Sequence, residues 1–302
     1  MIKNWLEAFR LRTIPLSISG ICMGSFLAFD KGYLNYSLLI FALITTILFQ
    51  ILSNLANDLG DSLKGTDNEN RVGPARSVQA GKISAKQMRN AVIITAFLSL
   101  ISAGNLIFFA QKDMSTEMVY SYVLLAAFCI IAAITYTVGK KAYGYYGLGD
   151  SMVFLFFGIV GVMGSNTLFT KHIDWLIILP SISIGCLSTA VLNLNNMRDV
   201  VNDAASQKNT LVVKIGLKNA KKYHISLLFI SLLSLVIFSI LNQKYGILLG
   251  CLPLIPLIKH IKFVLSNEIP SAFDPELKKV ALTTFFVSIM TGIGLLIDSR
   301  FM

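Results

Sequence analysis

FALITTILFQILSNLANDLGD, residues 41–61, begins as an apolar run and ends on carboxylates. Thr46, Gln50, Ser53, Asn54, Asn57 and Asp61 recur within it at three- and four-residue intervals. A helix through this stretch therefore carries one polar stripe leading down to acids. A second stretch follows the same plan, where Ser188, Asn195, Asp199 and Asp203 line one face of another apolar segment. Carboxylates at or just inside a membrane boundary cost roughly 2 to 3 kcal/mol each toward the bilayer centre and less near the interface, so they need partners and mark function.

Working outward, the 302 residues are 55% hydrophobic and only 14% charged, which excludes a soluble domain of ordinary composition. A spanning helix takes about 20 mainly apolar residues. Nine segments qualify: 14–29, 37–56, 91–110, 119–138, 148–168, 175–194, 224–241, 245–261 and 280–297. The fold class is thus an all-α integral membrane protein of about nine transmembrane helices, with residues 1–302 forming one domain. No small-residue cleavage site follows a short apolar core near the N-terminus, so the first span is expected to be retained. Ahead of it, Ile2, Trp5, Leu6 and Phe9 share a helical face opposite Lys3, Glu7 and Arg10, a pattern suited to a short interfacial helix or a lead-in turn. Cys22, Cys129, Cys186 and Cys251 are scattered singly in apolar runs, without metal-site or disulfide spacing.

The net charge of +10 is a topology signal rather than a nucleic-acid footprint. With the N-terminus cytoplasmic, 21 of the 26 Lys and Arg fall on inside segments. Lys31, Lys112, Lys171, Lys244 and Arg300 are left outside. Nine spans then put the C-terminus outside. The bias fits a multi-pass protein of the cytoplasmic (inner) membrane, with the lipid bilayer and not nucleic acid as its surroundings.

Two inside connections, about 57–90 and 195–223, are long, and long loops in compact proteins carry function. Each starts from Asn residues at the end of a span, runs into spaced Asp residues, and continues through Arg, Lys and Gly. In the first, Asn54, Asn57, Asp58 and Asp61 precede Gly65, Asp67 and Arg71. In the second, Asn195, Asn196, Arg198, Asp199 and Asp203 precede Lys208 and Lys214. Four spans lie between the clusters, an even number, so both emerge on one side and can share a site.

Mg²⁺ takes oxygen ligands and is commonly held by one or two carboxylates plus substrate phosphates. Asp199 and Asp203, four apart on a helix, are expected to point one way, with Asp58, Asp61 and Asp67 opposite. Arg71, Arg76, Lys140, Lys141, Arg198, Lys208 and Lys214 lie in the same inside layer and can hold phosphate oxygens. A lone Asp-x-x-x-Asp is a weak signal, usually a solvated helix face, and Lys218, Lys221 and Lys222 are plain positive-inside anchors. Two Asn/Asp clusters on one side, each continuing a polar stripe, are much more specific. Asp150, in GLGD at the head of the fifth span, is expected to orient Lys140, Lys141 or a substrate hydroxyl. Tyr136, Tyr143, Tyr145, Tyr146, Phe154, Phe156 and Phe157 border the same region, as packing or as walls for a cation. A cation-coupled transporter also buries acids, but it places them near the midplane in inverted repeats; here they sit at helix ends in a parallel repeat.

The stretches NLANDLGDSLKGTDNENRVGPARSVQAG (54–81), YTVGKKAYGYYGLGD (136–150) and NNMRDVVNDAASQKNTLVVKIG (195–216) resemble the UbiA superfamily of membrane prenyltransferases. The likeness covers nearly the whole chain, and within the superfamily it is greatest to the menaquinone branch. It implies helices around a central cavity and Mg²⁺ dependence. It also implies transfer of a prenyl chain from a polyprenyl diphosphate to an aromatic ring, 1,4-dihydroxy-2-naphthoate, with loss of CO₂. Acceptors such as 4-hydroxybenzoate or homogentisate are the alternative. The resemblance puts Asn57, Asp61 and Asp67 in a first metal motif and Asp199 and Asp203 in a second. Many relatives space the last two acids of the first motif four apart. Here Asp61 and Asp67 are six apart, so Asp58 stands as a substitute or additional ligand.

Overall fold

A computed structural model describes residues 1–33, 35–68 and 72–301, with the side chains of residues 300 and 301 left out. Every regular element among the described residues is helical. Eight helices are long and apolar enough to cross a membrane: Ile2–Phe29, Tyr36–Leu63, Ala85–Ala110, Thr116–Thr135, Gly149–Thr170, Trp175–Arg198, Leu211–Asn242 and Pro270–Ser299. A ninth crossing is made if Tyr245–Leu254 and Leu257–Ser266, bent by 40° at Pro256, count as one span. Pro253 and Pro256 explain the break, since neither offers an amide hydrogen to continue a helix.

The connections sort to two ends of the bundle. At one end Lys31 pairs with Asp174 and Lys244 with Asp30, tying three short turns together. At the other, Lys82 bonds Glu7 and Arg198 bonds Asp274. The helix Ile2–Phe9 lies at this second end, where Ala8 is buried with Leu52, Leu55 and Met88 while Ile2 and Leu6 stay exposed. Ser84 and Gln87 form the expected capping box before Ala85–Ala110.

Helix ends, however, run past the apolar windows. The second span continues as helix to Leu63, and helix leads into the seventh from Leu211, kinked at Gly216 (φ 76°), well before residue 224. The two long connections are accordingly shorter and more helical than expected, and Val200–Ala205 forms a helix of its own.

The main core gathers the sixth, seventh and ninth spans around residues such as Leu187, Leu194, Leu235 and Val287. Backbones meet closely where a Cβ on Gly294 would overlap the Gly246 carbonyl, so the ninth span and Tyr245–Leu254 pack without side chains between them. The fourth span is the exception, because Ala132 is its one buried residue. Beside it lies a cavity of about 320 Å³. A π-helical stretch, Phe154–Gly164, forms part of the cavity wall. Such irregular turns recur at functional sites.

Candidate active site

The cavity runs along the second span, where Ala42 and Asn57 both line it. Fifteen residues of helix rise make that about 22 Å. Gln50, Ser53, Asn54 and Asn57 line one end, and Ile107, Phe156, Phe157 and Leu168 line the remainder. The predicted polar stripe thus faces a real space. Its upper members are tied to the N-terminal turn, with Gln50 and Asn54 donating to Thr13, and Asn54 also to the Phe9 carbonyl. Asn57 accepts from Thr137.

Past Asn57 the stripe reaches Asp61, which is 3% exposed. One of its oxygens accepts from the Tyr145 hydroxyl at 2.8 Å and the other from the Lys208 ammonium at 3.4 Å. Lys208 also lies 3.9 Å from Asp203. The two motifs, separated by four spans in the chain, therefore meet across one ammonium group. Gly65 brings the rest of the first motif around. Its left-handed backbone (φ 72°) lets the chain fold back so that the amides of Thr66 and Asp67 both point at the Asp61 carbonyl. The longer spacing between Asp61 and Asp67 is absorbed by this turn, and Asp67 is buried beside Arg76 at 3.9 Å.

Several expected ligands are engaged elsewhere. The two Asp58 oxygens accept the backbone amides of Ser77 and Val78, so the residue anchors the loop after the second span. Asp199 and Asp203 have different charged partners. The helix breaks at Asp199 (φ −95°, ψ 7°), both Asp199 oxygens take the Arg198 guanidinium, and Asp203 turns to Lys208. Arg198 itself is 3% exposed and bonded to Asp199, Asp274 and Asn195, with Gly73 packed on it, so it clamps helices rather than facing a phosphate. Asn195 serves that clamp, and Asn196 is buried in the same helix. Lys140 and Lys141 are exposed, and no ion pair among the described residues joins either to Asp150 or to the acid cluster. Asp150 is buried with neither oxygen hydrogen-bonded; the Tyr223 hydroxyl approaches it but falls outside hydrogen-bonding geometry. Arg71 lies outside the described residues.

Other groups at the site escaped the sequence reading. Thr66 shares a 2.6 Å hydrogen bond with the Tyr145 hydroxyl, and the Asn202 amide donates to the Thr66 carbonyl. Lys64 sits 3.9 Å over the Tyr145 ring. Its ammonium is held below the usual lysine range by partial burial first, with Lys208 adding to the effect and Asp61 opposing it. Tyr136, one of the aromatics named from the sequence, lines the cavity with its ring.

Among the described residues, no three His, Cys, Asp or Glu side chains are grouped closely enough to hold a metal ion as they stand. The chemistry of the donor set nonetheless fits a hard divalent cation: oxygen only, anionic, and already holding a cation, Lys208, between Asp61 and Asp203.

The UbiA prenyltransferase family pattern matches residues 17–294. The chain belongs to that family. Among its relatives is a 1,4-dihydroxy-2-naphthoate octaprenyltransferase of Haemophilus influenzae, 41% identical over 98% of this chain and 96% of that protein. Another of the same name from Escherichia coli is 40% identical over the same shares. The apo structure of a UbiA homolog from Aeropyrum pernix K1 superposes with a TM-score of 0.66 at 13% identity, over 96% of this chain and 98% of that one, a likeness of fold. The chain is a multi-pass membrane prenyltransferase.

Proposed function

We propose that this UbiA-family enzyme transfers a polyprenyl chain to 1,4-dihydroxy-2-naphthoate, releasing diphosphate and CO₂, in menaquinone biosynthesis. The observation that carries the reading is the convergence of Asp61 and Asp203 on Lys208, with Asp61 one helical turn past Asn57, which lines the apolar cavity. The acceptor follows from relatives about 40% identical over nearly their full length.

In this reading Asp61, Asp67 and Asp203 would hold Mg²⁺, with Asn57 beside them. When bound, the ion supplies charge stabilisation for a leaving diphosphate. Lys208, Lys64 and Arg76 lie close enough to the acids to share that anionic charge once a diphosphate arrives. The allylic C–O bond breaks, the electron-rich ring forms the new C–C bond, and the carboxyl group leaves as CO₂ with its bonding pair returned to the ring. The ring is the nucleophile, so no Ser, Cys or His is required. Phe156, Phe157 and the Tyr136 ring keep water from a developing allylic cation, which an aromatic face also stabilises. The acid-bearing end faces the cytoplasm, as the Lys and Arg bias requires.

The test is product formation by purified protein in lipid, with labelled prenyl diphosphate, Mg²⁺ or EDTA, and naphthoate or 4-hydroxybenzoate. A Mg²⁺-dependent demethylmenaquinol from the naphthoate alone is expected. Product only from the benzoate overturns the acceptor, and undiminished product in EDTA overturns the metal.

A further inference from the structure

Tyr145 belongs to the turn Tyr143–Tyr146 between the fourth and fifth spans, outside both acid motifs. That turn is fixed from two sides. The Tyr143 hydroxyl donates to the Ala132 carbonyl of the fourth span, and the Gly144 amide to the Tyr136 carbonyl. On its other side the Asn209 amide donates to the Tyr145 carbonyl, and Lys214 to the Tyr146 carbonyl, so the turn's backbone is bolted to the segment following the second motif. The Tyr145 side chain crosses to the first motif. An ionised carboxylate can only accept, so the Tyr145 hydroxyl donates to Asp61 and must receive its 2.6 Å hydrogen bond from Thr66. The ring meanwhile has Lys64 at 3.9 Å and Lys208 at 5.5 Å from its centroid.

We propose that Tyr145 is a positioning residue that sets the register between the two acid motifs, fixing one Asp61 oxygen so that the other faces Asp203, and offering its ring to Lys208 when the acids take a divalent cation. The inference rests on the metal–diphosphate reading above. Two features make Tyr145 suited to it. Its carbonyl is bonded to the segment after the second motif while its hydroxyl holds the first, adding a side-chain brace beside the direct Asn202–Thr66 hydrogen bond. And an ammonium lodged between two carboxylates must withdraw if a divalent ion takes its position. An aromatic face is a surface where a lysine can keep part of its stabilisation without competing for carboxylate oxygens.

The experiment compares purified wild type, Tyr145→Phe, Tyr145→Leu and, as control, Tyr146→Phe, whose side chain is exposed. It measures the melting temperature without ligands, the Mg²⁺ concentration giving half of the thermal stabilisation by inorganic pyrophosphate, and kcat and KM in turnover. Tyr145→Phe keeps the ring but loses the hydrogen bond to Asp61 and the one from Thr66. It should melt somewhat below wild type without ligands and, assayed below its own melting temperature, need about tenfold more Mg²⁺ in both assays. Its kcat at saturating Mg²⁺ should stay within about threefold of wild type. Tyr145→Leu also loses the ring and should raise KM for the prenyl diphosphate as well. Equal Mg²⁺ half-saturation for wild type and Tyr145→Phe overturns the proposal while leaving the metal reading intact. If wild type itself gains nothing from Mg²⁺ with pyrophosphate, the metal reading falls and this one with it. Should Tyr145→Leu fail to fold, Tyr145→Phe decides alone.

Discussion

Carboxylates with the same sequence credentials do different work here, and their partners tell them apart. Asp58 and Asp61 are three residues apart on one helix, yet Asp58 accepts two backbone amides while Asp61 meets a phenol and an ammonium. Asp58→Ala should therefore lower stability, by about 2 kcal/mol for hydrogen bonds to a charged group, measured as melting temperature in detergent, and reduce turnover only as far as the protein unfolds. Asp61→Ala and Asp203→Ala each withdraw a partner from buried Lys208 and should lower melting, but should abolish turnover even at temperatures where the protein stays folded. Near wild-type activity in both would remove them from the site. Arg198→Ala makes the opposite case, because a buried guanidinium joining Asp199 to Asp274 is withdrawn, and such losses cost about 3 to 5 kcal/mol. Which acid is which was not legible in the sequence. The Asp58 partners lie nineteen and twenty residues away, and only the folded loop brings their amides to it.

Elements were more legible than contacts, for a physical reason. An apolar window marks where a helix crosses hydrocarbon, and all nine predicted windows overlap helices of the fold, although 119–138 overruns its helix, which ends at Thr135. It does not mark where the helix stops, since beyond the hydrocarbon a helix can continue with polar residues. Asn57, Asp58 and Asp61 accordingly sit on helix rather than in a loop. The polar stripe along the second span was readable because periodicity survives into the folded state, whereas the break at Asp199 was not, since nothing in MRDVVND forbids a continuous helix. Close helix contact also yields a contrast to measure. Gly294→Ala would push a methyl into the Gly246 carbonyl and should cost about 1 to 3 kcal/mol. Gly104→Ala, with open space where its Cβ would go, should be neutral or stabilise by up to about 1 kcal/mol. Thermal melts of the two variants in lipid check both.

At the scale of the whole molecule, the alternation of spans places the acid motifs, the Ile2–Phe9 helix and the Tyr143–Tyr146 turn at one end, and the Lys31–Asp174 and Lys244–Asp30 pairs at the other. A soluble diphosphate head and a lipid-soluble tail arrive from different phases. A site at a bundle end, one helical turn from an apolar cavity lined by Asn57, can meet both without drawing charge through the bilayer. The excess of Lys and Arg at the acid end gives the proposed orientation, with that end toward the cytoplasm, a labelling test. Ala80→Cys, exposed in the connection after the second span, should be labelled by a membrane-impermeant maleimide in inverted vesicles and protected in right-side-out ones. Lys112→Cys, exposed at the opposite end, should show the reverse. If both positions label from one face, the span count falls to an arrangement that separates the two motifs, and Asp61 and Asp203 can no longer share a substrate.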